Sequence, residues 1–199
     1  MSSPLIHRQA EARIPTQLGN FTMIAYANHA DEPMPHIAFL AEGFDPSKPV
    51  PVRIHSECMT GDVFGSRRCD CGEQLDASLK IVAERGGVVI YLRQEGRGIG
   101  LINKLKAYNL QDLGFNTADA NTHLGFDVDA RQYECAIFML QDLGISSVEL
   151  ITNNPDKVEA LRRSPLTVAA RIPLVIEPHA DNRGYLETKQ ELMGHLLGL

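Results

Sequence analysis

The protein has 199 residues, of which 44% are hydrophobic, and a formal net charge of −6 at pH 7. This composition supports a sizeable core in one large domain or two small ones and argues against disorder over most of the chain. No apolar run approaches the roughly 18 residues of a membrane helix, the N-terminus lacks the pattern of a signal peptide, and the acidic charge argues against a general nucleic-acid binder. We therefore expect a cytoplasmic protein with neither membrane nor nucleic-acid partners.

The first third of the chain predicts strands. Short or alternating apolar runs occupy residues 21–26, 37–40 and 50–54, and Gly, Pro and Asp separate them. Runs of this length and spacing are typical of strands that pack against a core.

Helices and strands alternate after residue 75. The first helix has one apolar face, formed by Leu75, Leu79, Val82 and Ala83. Gly86 and Gly87 are expected to end it, and residues 88–93 predict a buried strand.

Two further helices are predicted at about residues 99–114 and 131–143. Each has one stripe of larger side chains: Leu101, Leu105 and Tyr108 in the first, and Tyr133, Ile137 and Leu140, facing inward, in the second. A strand at residues 147–152 follows, and Pro155 near a first turn predicts one more helix. The alternation indicates an α/β or mixed α+β core, and no long linker divides the chain, so we expect one domain over residues 1–199.

Three of the four cysteines, Cys58, Cys69 and Cys71, lie in one polar, glycine-rich stretch. In a chain without an export signal, such cysteines indicate metal binding, catalysis or burial more often than disulfides. Cys69 and Cys71 are too close for an unstrained disulfide, but a tight turn can direct both sulfurs at one ion. Three thiolates can hold zinc and leave its fourth position open for water, whereas Cys135 is predicted to be a core residue.

Other interpretations of the cysteines stay open at this point. They could form a closed structural zinc site or be three buried thiols. His55 begins the sequence HSEC, which resembles the HxE half of the zinc deaminase signature, although the PCxxC half is absent. His55 is therefore a possible fourth ligand, and the residue type alone does not choose between a closed and an open site.

The segment around the cysteines also carries positive charge. Residues 51–106 hold nine Lys and Arg against seven Asp and Glu, although the whole chain is acidic. Within it, RQEGRGIGLINK places glycines and two arginines between a strand and a helix, where backbone N–H groups and an arginine fork can hold phosphate. An ordinary glycine turn fits this segment equally well, as do N-cap roles for Asp127 and Asp129 before the helix near Arg131.

Taken together, these segments resemble GTP cyclohydrolase II. The similarity covers nearly the whole chain and rests on RIHSEC, TGDVFGSRRCDCG, RQEGRGIGL, NKLKAY, LQDLG, TNNPDK and YLETKQELMGHLL. It implies an α+β fold, in which a single-domain mixed sheet has flanking helices, and a homodimer with one zinc per subunit and magnesium for the triphosphate. No dihydroxybutanone phosphate synthase domain precedes these motifs, so the stand-alone form is expected.

The resemblance also implies roles for individual residues. Cys58, Cys69 and Cys71 would bind zinc, whose water attacks C8 of guanine, and His55 would then not be a ligand. Asp129 matches a proton acceptor, Arg131 a nucleophile at the α-phosphate, and Tyr108 a residue needed for ring opening. The positions that match GTP contacts are Arg53, Ile54, His55, Ser56, Glu57, Gln74, Glu95, Gly96, Arg97, Thr117, Thr152 and Lys157.

The reaction implied by the resemblance releases formate and pyrophosphate from GTP in the first step of riboflavin biosynthesis. Because a guanidinium is normally protonated, Arg131 could equally act as an electrostatic clamp on the α-phosphate. Two alternatives remain: a zinc-stabilised, GTP-binding regulatory paralogue without turnover, and a variant that stops at the formamide intermediate. The sequence departs from the family pattern mainly at residues 177–184, which affects the expected dimer contacts or tail rather than the chemistry.

Overall fold

The computed structural model describes residues 6–127 and 131–198. Seven strands of the described chain form one sheet in the order β1-β2-β3-β5-β4-β6-β7. The strands are β1 (His7–Thr16), β2 (Gly19–Ala27), β3 (His36–Ala41), β4 (Val50–Ser56), β5 (Val88–Leu92), β6 (Ser147–Ile151) and β7 (Thr167–Ile172). Pairing is antiparallel from β1 through β3 to β5 and parallel from β5 through β4 and β6 to β7. The predicted mixed sheet is confirmed.

Helices pack on both faces of the sheet. They are α1 (Met59–Asp62), α2 (Cys71–Arg85), α3 (Gly100–Asp112), α4 (Thr117–His123), α5 (Glu134–Asp142), α6 (Pro155–Arg162) and α7 (Arg183–Met193). A short 3-10 helix, Glu95–Gly98, precedes α3. Within residues 6–127 and 131–198, none of the helices is long and apolar enough to cross a membrane.

The core lies on the two faces of the central strands. On β5, Val88 and Ile90 belong to a cluster that includes Met139 of α5, whereas Val89 belongs to a second cluster with Val82 of α2. This split follows from the period of two along a strand, which sends successive side chains to opposite faces. Parallel strands covered on both faces are buried along most of their length, and β4 and β5 have this character.

Strand β4 departs from the apolar pattern at two buried positions. Val52 and Ile54 enter the first core cluster, so Arg53 and His55 lie on the face that α2 covers. Polar loops follow β4, β5 and β6, and the carboxyl ends of these parallel strands lie at one edge of the sheet. That edge is where α/β folds commonly bind ligands, and the residues predicted to form the site follow these strands.

Most predicted elements are present. The strands predicted at residues 21–26, 37–40, 50–54, 88–93 and 147–152 correspond to β2, β3, β4, β5 and β6. Gly86, at φ 69, ends α2 as expected. Asn154 caps α6 by accepting a hydrogen bond from the Asp156 backbone N–H, with Pro155 in the first turn. The expectation of one domain over residues 1–199 stays a prediction.

Two predicted helices are present but differ in detail from the expectation. The helix expected from about residue 131 begins at Glu134, although Tyr133 and Leu140 are buried as predicted. The helix predicted at about residues 99–114 is present as α3, although Leu105 of its stripe is 46% exposed whereas Lys104 is only 8% exposed. The reason is electrostatic, because the Lys104 ammonium turns inward to pair with Glu95 and the Cys58 sulfur.

Candidate active site

The three cysteines of the glycine-rich stretch come together where β4 meets α1 and α2. Their sulfur atoms lie within 4.8 Å of one another, and the Cys58 and Cys69 sulfurs are 3.7 Å apart. Cys58 directly precedes α1, and Cys71 begins α2. Among the described residues, this is the one cluster of at least three His, Cys, Asp or Glu side chains suited to a metal.

Close packing of α1 against α2 makes the cluster possible. A Cβ atom on Gly72 would lie 2.5 Å from the Gly61 carbonyl oxygen, and one on Gly61 would lie 3.1 Å from the Cys69 sulfur. Position 72 therefore needs glycine for steric reasons, and a larger residue at position 61 would require the cysteines beside it to shift. The glycines around the cysteines thus have a physical role, which is to let two backbones approach each other.

The donor set fits zinc. Soft thiolates favour Zn²⁺ among common divalent ions, with Zn–S distances of about 2.3 Å and tetrahedral geometry. Tetrahedral bonds of that length put two sulfurs about 3.8 Å apart, close to the 3.7 Å between Cys58 and Cys69. Cys135 is not part of this group and packs half-buried against the core, as predicted.

A lysine–glutamate pair lies beside the cluster. The Lys104 ammonium is 3.1 Å from the Cys58 sulfur and 2.8 Å from Glu95 Oε1. Hydrogen bonds from Cys69 and Cys71, together with Lys104, lower the pKa of the Cys58 thiol. The same contact with Cys58 raises the pKa of Cys69 to about 11. The neighbouring Lys104 ammonium therefore favours the thiolate form of Cys58.

Asp62 organises the other side of the cluster. Its carboxylate accepts hydrogen bonds from the Cys58 backbone N–H at 2.9 Å, from His55 Nε2 at 3.0 Å and from the Tyr91 hydroxyl at 2.8 Å. Burial lowers the pKa of His55, although Asp62 opposes that shift. His55 is thus bound to Asp62 and does not join the sulfur group, so the structure gives no support to His55 as the fourth ligand.

The glycine–arginine loop lines the same cavity as the cysteines. Gly96 and Arg97 have φ values of 61° and 64°, and Arg97 is the one non-glycine residue with positive φ in the described chain. Strained backbone of this kind occurs most often at functional sites. Both terminal nitrogens of Arg97 are buried without a hydrogen-bond partner among the described residues. An anionic ligand would supply the missing acceptors.

More cations lie at the ends of β4 and β6. Arg53 donates from Nη1 to the Ile151 carbonyl oxygen at 3.2 Å, and its Nε is buried without a partner among the residues the structure describes. Lys157 donates to the Ile54 carbonyl oxygen at 2.8 Å. These groups line the cavity that the cysteines and Arg97 also line. One cavity therefore combines a thiolate cluster with several cationic side chains.

Comparison with known proteins agrees with this arrangement. The family model described as GTP cyclohydrolase II matches residues 7–173. The chain belongs to the GTP cyclohydrolase II family. It is 51% identical over 196 residues to the riboflavin biosynthesis protein RibBA of Chlorobium phaeovibrioides, covering 98% of this chain and 48% of that protein. RibBA of Bacillus subtilis is 50% identical over 196 residues, covering 97% of this chain and 49% of that protein.

The chain spans about half the length of these relatives. Among solved structures, it is similar to RibBX of A. baumannii, a two-domain 3,4-dihydroxy-2-butanone 4-phosphate synthase, with a TM-score of 0.49 and 19% identity. The match covers 86% of this chain and 40% of that one, and its score does not establish a common fold.

Most of the site residues expected for a GTP cyclohydrolase II line the cavity. They are Arg53, His55, Ser56, Glu57, Cys58, Cys69, Cys71, Gln74, Glu95, Gly96, Arg97, Tyr108, Arg131, Thr152 and Lys157. Ile54 differs, because its side chain is fully buried in the core. Thr117 begins α4, and Asp129 lies outside the described residues.

Several residues of the cavity were not predicted from the sequence. Lys104, Tyr185, Lys189 and His195 line it. Asp62 and Asp70 accept hydrogen bonds from two lining residues, Cys58 and Lys189. Burial, together with Lys189, Arg131 and other cations, lowers the pKa of His195 to about 3. The motifs NKLKAY and YLETKQELMGHLL contain four of these residues, Lys104, Tyr185, Lys189 and His195, but a lysine in a helix gives no sequence signal that it points inward.

Proposed function

We propose that this protein is a zinc-dependent GTP cyclohydrolase II. It hydrolyses GTP and opens the guanine imidazole ring with release of formate and pyrophosphate. The product is 2,5-diamino-6-(5-phospho-D-ribosylamino)pyrimidin-4(3H)-one, the first intermediate of riboflavin biosynthesis. The observation that carries this proposal is that one cavity holds a three-cysteine cluster together with buried arginine nitrogens that have no hydrogen-bond partner among the described residues. Family membership and the riboflavin biosynthesis names of the relatives support it.

Cys58, Cys69 and Cys71 would hold the zinc ion, which supplies an activated water and polarises the ring. Three thiolates over-neutralise Zn²⁺, and Lys104 beside Cys58 offsets part of that excess charge. Asp62 accepts a hydrogen bond from the Cys58 backbone N–H and would thereby help to orient the Cys58 sulfur.

The cationic side of the cavity would bind the triphosphate together with magnesium. Arg97 and Arg53 offer buried guanidinium nitrogens, which suit phosphate oxygens better than a point charge does. The sheet sets the spacing between these cations, because Arg53 lies on β4, Arg97 follows β5 and Lys157 follows β6 at the same edge of the sheet. GTP would therefore be held with its phosphates at the arginines and its base near the cysteines.

Tyr108 would assist ring opening as a proton donor. Burial raises the pKa of its hydroxyl, with Lys104 opposing the shift, so the group stays protonated at neutral pH. The Lys104 ammonium lies 5.8 Å from the centre of the Tyr108 ring. A protonated phenol beside the cysteines can donate to a ring nitrogen as the C–N bond breaks.

Arg131 lines the cavity and would act at the α-phosphate, with Asp129 as proton acceptor. Attack by the guanidinium requires loss of a proton, whereas a clamp requires none. Trapping with GTP followed by mass measurement of the intact protein separates the two. A covalent guanylyl adduct that disappears in Arg131→Lys supports the nucleophile, and an unmodified protein that turns over supports the clamp.

Identification of the products tests the proposed function most directly. Zinc-loaded protein with GTP and magnesium is expected to give formate and pyrophosphate in equal amounts, together with the diaminopyrimidine, by mass spectrometry. A product that keeps its formyl group would instead indicate an enzyme that stops at the formamide. GTP binding without any product would indicate a regulatory paralogue and would sink the proposal.

We also propose that the active form is a homodimer in the cytoplasm. Large apolar side chains that are exposed in the single chain support an association surface, among them Phe64 at 75%, Ile102 at 71% and Leu113 at 78%. Sedimentation equilibrium is expected to give twice the mass of one chain. A monomer at the concentration used for activity would contradict this.

A further inference from the structure

Helix α7 contributes to the cavity although it lies beyond residue 173, where the family match ends. Tyr185, Lys189 and Met193 of this helix line the cavity, and so does His195 just after it. The helix is thus part of the wall around the cysteines and arginines. Its side chains have no role in the function proposed above.

The main contact of α7 with the rest of the site is a buried ion pair. Lys189 Nζ lies 2.6 Å from Asp70 Oδ1, and the two side chains are 9% and 1% exposed. Asp70 lies between Cys69 and Cys71 and occupies the N-cap position of α2, yet its side chain makes no capping hydrogen bond. The carboxylate is instead held by Lys189 and by Gln74.

Asp70 decides how the Gln74 amide is oriented. An ionised carboxylate only accepts hydrogen bonds, so the NH₂ end of Gln74 faces Asp70. The carbonyl end of Gln74 then faces Arg53, which only donates, and it accepts from Nη2. The reverse orientation would place like groups against each other at both ends. The hydrogen-bonded series from Lys189 through Asp70 and Gln74 to Arg53 therefore has one arrangement in which each donor faces an acceptor.

Stability alone does not explain this ion pair. The desolvation of two buried charges offsets most of their attraction, so such a pair contributes little net stability compared with apolar side chains of similar size. What the pair does provide is a fixed position for Asp70. The same helix also places the Tyr185 ring 4.4 Å from Lys189 Nζ and 5.7 Å from the Arg97 guanidinium. Helix α7 thus contacts Arg97 through Tyr185 and is linked to Arg53 through Lys189, Asp70 and Gln74.

We infer that Lys189 is a positioning residue for GTP: it holds Asp70, which orients Gln74 and through it Arg53 toward the nucleotide. The inference rests on the proposed function, since Arg53 and Gln74 are expected GTP contacts. Lys189 acts through these residues, so its loss should weaken binding of the nucleotide more than it slows the bond-breaking steps.

The test compares Lys189→Met with Lys80→Met, the same change at an exposed position of α2. We expect Lys189→Met to raise the Kd for a non-hydrolysable GTP analogue and the KM for GTP by about ten-fold or more, with a smaller change in kcat. Lys80→Met should match the wild type. Lys189→Arg keeps the charge and should restore much of the affinity. Wild-type affinity in folded Lys189→Met would overturn the inference.

A second variant separates an effect on binding from an effect on folding, because Lys189→Met leaves the Asp70 charge buried without its lysine partner. Asp70→Asn combined with Lys189→Met removes both charges. We expect this double variant to fold and to bind the analogue weakly, since Gln74 is no longer held in one orientation. Normal binding by the folded double variant, or failure of both variants to fold, would show that the pair serves the fold alone.

A readout without nucleotide separates this inference from the proposed function. The side-chain amide signals of Gln74 in ¹⁵N-edited NMR spectra are expected to shift in Lys189→Met and not in Lys80→Met. Unchanged Gln74 signals would count against the inference even in a protein that does not use GTP. A wild-type protein that fails to bind the analogue would instead contradict the proposed function.

Discussion

The cavity has a cysteine wall, around Cys58, Cys69 and Cys71, and an arginine wall, around Arg97. The two walls differ in how their polar groups are hydrogen-bonded. On the cysteine side, Asp62 accepts three hydrogen bonds and Lys104 lies between Cys58 and Glu95. On the arginine side, the Arg97 nitrogens are buried and lack partners among the described residues, and the backbone at Arg97 has positive φ. The first wall is built to hold donor atoms in fixed positions. The second leaves hydrogen-bonding capacity for a ligand.

The largest effect is expected from removing one sulfur of the cysteine wall. Cys69→Ser should abolish formate release because the zinc site loses a thiolate, whereas the protein stays folded and pyrophosphate release continues. Formate and pyrophosphate are measured separately, with Cys135→Ser as the matched control. Loss of folding together with both products would show that this wall is also structural.

Next in size is the removal of the Arg97 guanidinium, whose terminal nitrogens have no hydrogen-bond partner among the described residues. Arg97→Met is expected to raise the KM for GTP by about ten- to a hundred-fold, since charge-assisted hydrogen bonds to phosphate are lost. Arg97→Lys should recover only part of this, because an ammonium cannot form the bidentate contact. Arg13→Met, at an exposed position of β1, serves as the control. An unchanged KM in Arg97→Met would show that the Arg97 guanidinium does not bind GTP.

A smaller effect is expected at Lys104, which supports the cysteine wall without being a metal ligand. Lys104→Met should weaken zinc affinity by about ten-fold, the range typical of groups that hydrogen-bond to ligands. Competition with a chromophoric chelator measures this without any turnover. Lys106→Met, two residues along the same helix and exposed, is the matched control. Equal zinc affinities in the two variants would show that Lys104 does not stabilise the site.

The smallest effect concerns pH and His195. Its pKa in the folded protein, about 3, lies below the ordinary value of 6.5, so the unfolded chain binds this proton more readily. The contribution of His195 to the free energy of unfolding is therefore fully present above pH 6.5. As the pH falls from 6.5 toward 3, the free energy of unfolding decreases by at most about 1.4 kcal/mol per pH unit. Urea unfolding at several pH values should show a shallower loss in His195→Asn than in His7→Asn. Identical slopes would contradict this.

The predicted elements and the predicted site differ in what the sequence could reveal. Apolar periodicity predicted β2 to β6 and α2 because their buried residues repeat at the period of the element. Strand β1 is largely exposed on both faces, so it lacks this signal. In α3 the sequence predicted the helix but not the burial of Lys104, which depends on its ion pair with Glu95.

The sequence by itself determined which chemical groups are available: three cysteines at a spacing that suits one ion, and arginines in a glycine-rich loop after a strand. It also determined the glycines that let α1 and α2 approach. Only the tertiary structure decided that Lys104 faces Cys58, that Asp62 binds His55, and that Lys189 reaches Asp70 across 119 positions of the chain. The physical reason is that periodicity and caps act over a few residues, whereas these pairings depend on the strand order and on which helix covers each face of the sheet.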